Sequence, residues 1–196
     1  VVPTFLHYNG YPARVCVSVN DEVVHGIPDR RVLQEGDVVS IDLGATHKGF
    51  VGDAAITVGV GRISPEAERL VRVTEEALWQ GIKAAKAGAL LGQISAAIQT
   101  HAESNGFAVV REYVGHGVGR SMHEDPQVPN FGPSDRGPVL QKGMTLALEP
   151  MVTAGDWQTK RDSDGWTVRT ADGSLAAHFE HTIAITEGEA QVLTLS

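Results

Sequence analysis

The stretch Val38-Val39-Ser40-Ile41-Asp42-Leu43-Gly44-Ala45-Thr46-His47-Lys48-Gly49-Phe50-Val51-Gly52-Asp53-Ala54-Ala55-Ile56-Thr57-Val58 reads as two apolar strands about a turn. Val38–Leu43 and Phe50–Val58 flank Thr46-His47-Lys48-Gly49, a hairpin turn by composition. One acid interrupts each strand, Asp42 in the first and Asp53 in the second. The midpoint between them falls between His47 and Lys48, so a hairpin turning there sets the two carboxylates directly opposite each other. Like charges in that position repel, and a divalent cation between them would compensate. The plainer alternative makes each Asp a turn or edge residue in water.

Working outward, Asn9-Gly10 and Tyr11-Pro12 mark turns near the start, and Val15–Asn20 alternates like a strand. A helix is expected to open at Ser64-Pro65-Glu66, with Ser64 as N-cap, Pro65 in the first position and an acid in the first turn. Leu70, Val71, Thr74, Ala77, Leu78, Gly81, Ile82 and Ala85 keep helical spacing, and Gly88 is expected to end the helix. A second helix runs from about Gly92 to Asn105-Gly106, with Ile94, Ala97, Ile98, His101 and Ala102 inward. From Phe107 the chain is again strand and loop, rich in Gly, Pro and Asp. The order strands, two helices, strands predicts one α+β domain over residues 1–196, with no repeat and no linker.

With 42% hydrophobic residues, the chain has enough apolar side chains for a sizeable core, which excludes intrinsic disorder. The net charge is −8 and no Lys/Arg run stands out, which argues against nucleic acid as a partner. A single Cys16 rules out an intramolecular disulfide and suits a reducing cytoplasm. No apolar run reaches the roughly 18 residues of a membrane span, and the first residues do not read as a signal peptide. A start at Val1 rather than Met points to a processed or trimmed chain.

Other polar residues stand where polarity is expensive. His116 lies in Gly115-His116-Gly117-Val118-Gly119, read as a small-residue loop that lets backbone approach an ion or ligand, and His123 follows in Met122-His123-Glu124-Asp125-Pro126. Glu149 closes the apolar run Thr145-Leu146-Ala147-Leu148, and Glu180 interrupts Ala177-His178-Phe179-Glu180-His181-Thr182-Ile183. Charges there are costly unless paired or metal-bound. His25 ends Val23-Val24 and precedes a Gly26-Ile27-Pro28 turn. Two Asp, two Glu and one His make an oxygen-rich set with one nitrogen, suited to two neighbouring divalent ions with a water between them. No Gly-x-Ser-x-Gly elbow, His-Glu-x-x-His motif or true dinucleotide loop competes, and Cys16 has no acidic or His neighbour to activate it.

In order and spacing, His25-Gly26-Ile27-Pro28, the Asp42/Asp53 pair, Gly115-His116-Gly117-Val118-Gly119, Met122-His123-Glu124-Asp125-Pro126, Leu148-Glu149-Pro150 and Phe179-Glu180-His181-Thr182-Ile183 resemble the methionine aminopeptidases. The resemblance spans about residues 7–190. The 25 residues between His123 and Glu149 leave no room for the long insertion of the type II enzymes, so type I fits better. It implies the pita-bread fold, two pseudo-symmetric halves around a curved antiparallel sheet that clasp a dinuclear site. It implies Asp42 and Asp53 on one metal, His116 and Glu149 on the other, with Asp53 and Glu180 bridging. The metals would be two divalent ions drawn from Co, Mn, Fe, Ni or Zn. His25 and His123 would contact the scissile peptide, and Tyr8, Tyr11, Cys16, Met122 and Trp166 would line a methionine pocket. Aromatic and sulfur residues also serve as plain core filling. The family carries an N-terminal helical segment ahead of its Tyr-x-Gly-Tyr-Pro turn, so the first half of this chain, which starts almost at that turn, is expected to lack its helices.

The chemistry expected from the resemblance is removal of an N-terminal methionine that precedes a small residue. Glu149 would take a proton from water and pass it to the leaving amine, His123 would hydrogen-bond the oxyanion, and His25 would hold the peptide nitrogen or free amine. The implied partners are peptide N-termini and the ribosome, for a cytoplasmic monomer without membrane or nucleic-acid specificity. Two rival readings remain open: an X-Pro hydrolase on the same fold, and a binding module that has lost catalysis.

Overall fold

In the computed structural model, which describes residues 1–195, the hairpin organises the first third of the chain. Its strands run Val38–His47 and Phe50–Gly59, and a two-residue turn of Lys48 and Gly49, with φ of 51° and 80°, joins them. Positive φ at both turn positions matches the right-handed twist of the flanking strands. Residues pair from Val38 with Gly59 down to His47 with Phe50, so the turn is centred one residue later than the sequence midpoint. Asp42 therefore faces Ala55, and Asp53 faces Gly44. The two acids are diagonal neighbours rather than opposite ones, on the same inward face, because side chains alternate with period two.

The strands before this turn are β1 (Val2–Pro3), β2 (Cys16–Val19), β3 (Glu22–Val24) and β4 (Val38–His47). Next come β5 (Phe50–Gly59), α1 (Pro65–Ala84), α2 (Leu91–Ser104), β6 (Ala108–Val109), β7 (Gly115–Gly117), β8 (Glu124–Val128) and β9 (Thr145–Leu148). The chain continues through β10 (Met151–Thr153), β11 (Thr159–Arg161), β12 (Val168–Thr170), β13 (Ala176–His178), β14 (Glu180–Ala184) and β15 (Gln191–Val192). The main sheet has the order β1-β4-β5-β14-β9-β7-β8, with β2 added on β4 and β15 on β14. All its pairings are antiparallel. Two three-stranded sheets, β13-β10-β6 and β11-β12-β3, complete the α+β architecture.

The α1 helix starts as its sequence predicts. Ser64 Oγ accepts from the Ala67 amide at 3.1 Å, Pro65 occupies the first turn, and Glu66 and Glu68 face the positive end of the helix dipole. It ends at Ala84, ahead of the expected Gly88, and Val73 rather than Val71 completes the buried stripe. The stripe Leu70, Val73, Ala77 and Leu78 packs with Ile94 and Ile98 of α2, and with Leu146, Leu148 and Ile183 from the sheet. Gly81 lets the two helices close: a Cβ there would sit 2.9 Å from Ile98. α1 thus packs against β5, β9, β10, β13 and β14, and α2 against α1, β6 and β8.

The first half is different. Apart from one short turn of helix at Tyr8–Gly10, the described residues before Pro65 carry no helix. The outer face of β4 and β5 is apolar yet open, with Ile41, Leu43, Ile56 and Val58 exposed, whereas Ser40, Asp42, Asp53 and Thr57 on the inner face are buried.

Candidate metal centre

The inner face of the sheet gathers residues far apart in sequence. Asp42 and Asp53 come from β4 and β5, His116 from β7, Glu180 from the first position of β14, and Glu149 from the residue after β9. Adjacent strands in the order β4-β5-β14-β9-β7 therefore each deliver one polar group to the same floor. Donor atoms of Asp53, His116 and Glu180 all lie within 4.8 Å of one another. His116 Nε2 is 3.8 Å from Asp53 Oδ2 and 3.5 Å from Glu149 Oε1.

The glycines around His116 belong to a strand, not to the loop expected from composition. A Cβ on Gly115 would overlap the carbonyl oxygen of Ala147, and one on Gly117 would overlap that of Asp125. Glycine lets β7 press against its neighbours and sink His116 into the floor. His116 Nδ1 is 2.8 Å from the Gly117 carbonyl oxygen, which can only accept, so Nδ1 carries the proton. The free lone pair of Nε2 is left facing the acids, the arrangement of a metal-ligating imidazole. Burial lowers the His116 pKa to about 4, which keeps the ring neutral.

The acids are under the opposite stress. Burial, followed by the charge of Asp53, holds Asp42 well above the usual carboxylate range, and burial raises Asp53 to about 7. Glu149 and Glu180 are also pushed well above that range by burial and then by the charge of Asp53. Asp42 Oδ1, Asp53 Oδ1 and Glu180 Oε1 are buried without any hydrogen-bond partner. Four carboxylates sharing one floor, three of them with an orphaned oxygen, fit divalent cations, which would replace both the missing partners and the held protons.

Above the floor opens a cleft of about 680 Å³, part of it continuous with solvent, and every sequence-predicted site residue lines it. Phe5, Tyr11, Cys16 and Met122 form one buried apolar cluster, with Tyr8 and Trp166 packed against it. Trp166 meets Tyr11 edge-on, ring centroids 5.1 Å apart. The Tyr11 hydroxyl donates to the Gly26 carbonyl at 2.8 Å. Cys16 sits across the strand pair from Asp42, and burial followed by that charge keeps its thiol protonated. The His123 ring centroid lies 4.2 Å from that of His116, the rings tilted by 52°, and its Nδ1 lies 2.7 Å from the Tyr8 hydroxyl. His25 leaves β3 with a left-handed φ of 62° and packs edge-on against Tyr113. Arg169 ties β12 to that strand through Asp21 and Glu22, at 2.8 and 2.7 Å, and also pairs with Asp162 after β11 at 2.6 Å.

Some site residues were not singled out by sequence. Phe5 and Asn9 join the cleft wall. His178 is fully buried, with Nε2 3.7 Å from Glu149 Oε2 and its pKa lowered to about 3 by burial. The period-two spacing from Glu180 was the available signal, since residues i and i+2 of an extended segment share a face.

The family model for metallopeptidase family M24 matches residues 5–187. The chain belongs to this family. As an M24 peptidase it is 55% identical over 193 residues to methionine aminopeptidase 1 of Bacillus subtilis, covering 98% of this chain and 78% of that protein. The crystal structure of methionine aminopeptidase from Thermotoga maritima overlays with a TM-score of 0.99 at 55% identity, over 100% of this chain and 79% of that one. Prolidase from Pyrococcus furiosus overlays at 0.75 with 23% identity, over 93% of this chain and 49% of that one, a likeness of fold. The M24 chain thus has the pita-bread architecture expected from its sequence.

Proposed function

We propose that this M24 peptidase removes the N-terminal methionine from peptides and proteins whose second residue is small. The observation that carries the reading is the floor itself: three buried carboxylates with unpartnered oxygens, a half-buried fourth from Glu149 and one neutral imidazole, beneath an aromatic and sulfur-lined cleft. Its high identity to methionine aminopeptidases over nearly the whole chain supports the same activity.

Asp42 and Asp53 would hold one divalent ion, and His116 and Glu149 a second, with Asp53 and Glu180 shared between them. When bound, such ions supply Lewis acidity toward water and the scissile carbonyl. Which of Co, Mn, Fe, Ni or Zn serves is a matter of availability as much as of ligand type. Glu149, at the edge of the floor, takes the proton of the attacking water and returns it to the leaving amine. Tyr8, donating to His123 Nδ1, leaves the His123 proton on Nε2, from where it hydrogen-bonds the developing oxyanion. His25 holds the peptide nitrogen or the free amine.

In this reading residues 1–196 act as one catalytic domain, with Ser196 outside the described residues. Its partners are peptide N-termini, with nascent chains at the ribosome among their sources, and its working form is a cytoplasmic monomer. No helix among the described residues is long and apolar enough to cross a membrane.

The test is a peptide assay after stripping with chelator and titrating each metal back. Metal-dependent release of Met from Met-Ala peptides is expected. Preferential cleavage of Gly-Pro peptides would assign the X-Pro reading instead, and absence of both bound metal and cleavage would leave a binding module.

A further inference from the structure

His178 has no part in the reaction just described, yet it is held with care. It ends β13 opposite Met151. The Thr57 hydroxyl accepts the His178 amide at 2.9 Å and donates to the His178 carbonyl at 2.7 Å. Thr57 is held in turn by Ser40 at 2.8 Å. Two strands of the main sheet thus fix the backbone from which the ring projects. The ring is 1% exposed, and its Nε2 is buried without a hydrogen-bond partner. The polar atom it faces is Glu149 Oε2, at 3.7 Å. The other oxygen of that carboxylate, Oε1, lies 3.5 Å from His116 Nε2.

A nitrogen sealed from water without a partner is unfavourable, and an apolar side chain in the same space would avoid the penalty. A shift of about half an ångström would turn the 3.7 Å approach into a hydrogen bond. We propose that His178 is the positioning residue of Glu149: its Nε2–H donates to Oε2 and thereby presents Oε1 to the floor of the site. The proposal rests on the reading of Glu149 as ligand and base. His178 touches neither substrate nor the reacting atoms; it fixes the rotation of the carboxylate that does. Partners of this kind, behind a ligand, orient it and raise its effectiveness.

Two measurements test it. In protein with 15N-labelled histidines, metal-free and zinc-loaded, long-range proton–nitrogen correlations are expected to show His178 protonated at Nε2. Protonation at Nδ1 with a bare Nε2 overturns the proposal whatever the activity. The second compares His178→Gln, which keeps a donor, with His178→Met, which removes it at similar size. His178→Met is expected to lower kcat on Met-Ala peptides by roughly 10–100-fold and to weaken metal affinity, with KM little changed. His178→Gln is expected to stay within a few-fold of the parent. Equal activity and metal affinity in the two variants overturn the proposal. If His178→Met does not fold, a folded but inactive His178→Gln overturns it too. Failure of the unsubstituted protein to cleave Met-Ala peptides sinks the proposed activity alone, and the ring tautomer still decides the hydrogen bond.

Discussion

Thr182 grips the backbone of Asp53 from both sides. Its hydroxyl accepts the Asp53 amide at 2.9 Å and donates to the Asp53 carbonyl at 2.8 Å. This one buried side chain on β14 does for an acid on β5 what Thr57 on β5 does for His178 on β13. The floor is therefore aimed by hydroxyls of neighbouring strands as well as by sheet pairing.

Replacing Thr182 by Val keeps the shape and leaves both Asp53 backbone groups without this partner. The expected loss is about 1–3 kcal/mol of stability, with weaker metal binding. Urea unfolding and metal titration of the variant check it. Unchanged midpoint and affinity would show that the grip is incidental.

Asp42→Asn or Glu180→Gln should remove at least one bound metal and nearly all activity. Each supplies a buried oxygen without a partner, the atom a cation would use. Elemental analysis of the purified variants is the check. A full metal complement with retained activity would strike that residue from the ligand set.

The metal-free protein should lose stability as pH rises from about 6.5 to 8. Asp53, raised to about 7, and Asp42, Glu149 and Glu180, all well above the carboxylate range, bind protons more tightly folded than unfolded. Their contribution is present at low pH and is lost as pH climbs through the folded values. His25 and His116, lowered to about 4, and His178, lowered to about 3, act with the opposite sign, but only up to the unfolded value near 6.5. Above that pH the histidine contribution, to which His123 and His181 add, dies away and the acids set the slope. Thermal melts with chelator should fall across the window, and divalent metal should flatten them. A chelated melting temperature that is level or rising contradicts the assignment.

How much of this was legible in sequence follows from what each residue's neighbours reveal. Asp42, Asp53, Glu149 and Glu180 were visible because an acid in an apolar strand is expensive, and the expense is local to a few residues. The helix start at Ser64-Pro65-Glu66 was visible for the same reason, since caps are local chemistry. The hairpin register was missed by one residue because Lys48, a residue that rarely takes positive φ, fills half the turn beside Gly49. The strand at His116 looked like a loop because its glycines answer to Ala147 and Asp125 on other strands. His178, Thr57 and Thr182 matter through pairings across the sheet, and no window of sequence contains those pairs.

His123→Ala should keep the fold and the metals but lower kcat. Its Nδ1 lies 2.7 Å from the Tyr8 hydroxyl, and with that hydroxyl as donor Nε2 carries the proton toward the cleft. Losing a donor aimed at a developing oxyanion typically lowers the rate about 10²–10³-fold. A loss confined to KM would show that His123 binds the ground state.

Substrate choice is the broadest test. The wall built from Phe5, Tyr8, Tyr11, Cys16, Met122 and Trp166 offers aromatic faces and soft sulfur, which suit an unbranched thioether. Cys16 and Tyr11 both keep their protons there, so the wall presents no charge to a first side chain. Leucine lacks the reach and softness to fill it, and lysine would bring an unpaired charge. His25 and His123 line the same cleft as the floor residues and take up space beside the scissile bond in the proposed pose, so the second side chain should be small. Met-Gly, Met-Ala and Met-Ser peptides should be cut, and Met-Lys and Met-Trp hardly at all. Acetylating the amine removes the free N-terminus that the proposed His25 contact would hold, and should abolish cleavage. Hydrolysis of acetyl-Met-Ala peptides, or of peptides starting with Leu or Lys, at rates comparable to Met-Ala would mean that neither this wall nor the His25 contact selects the substrate.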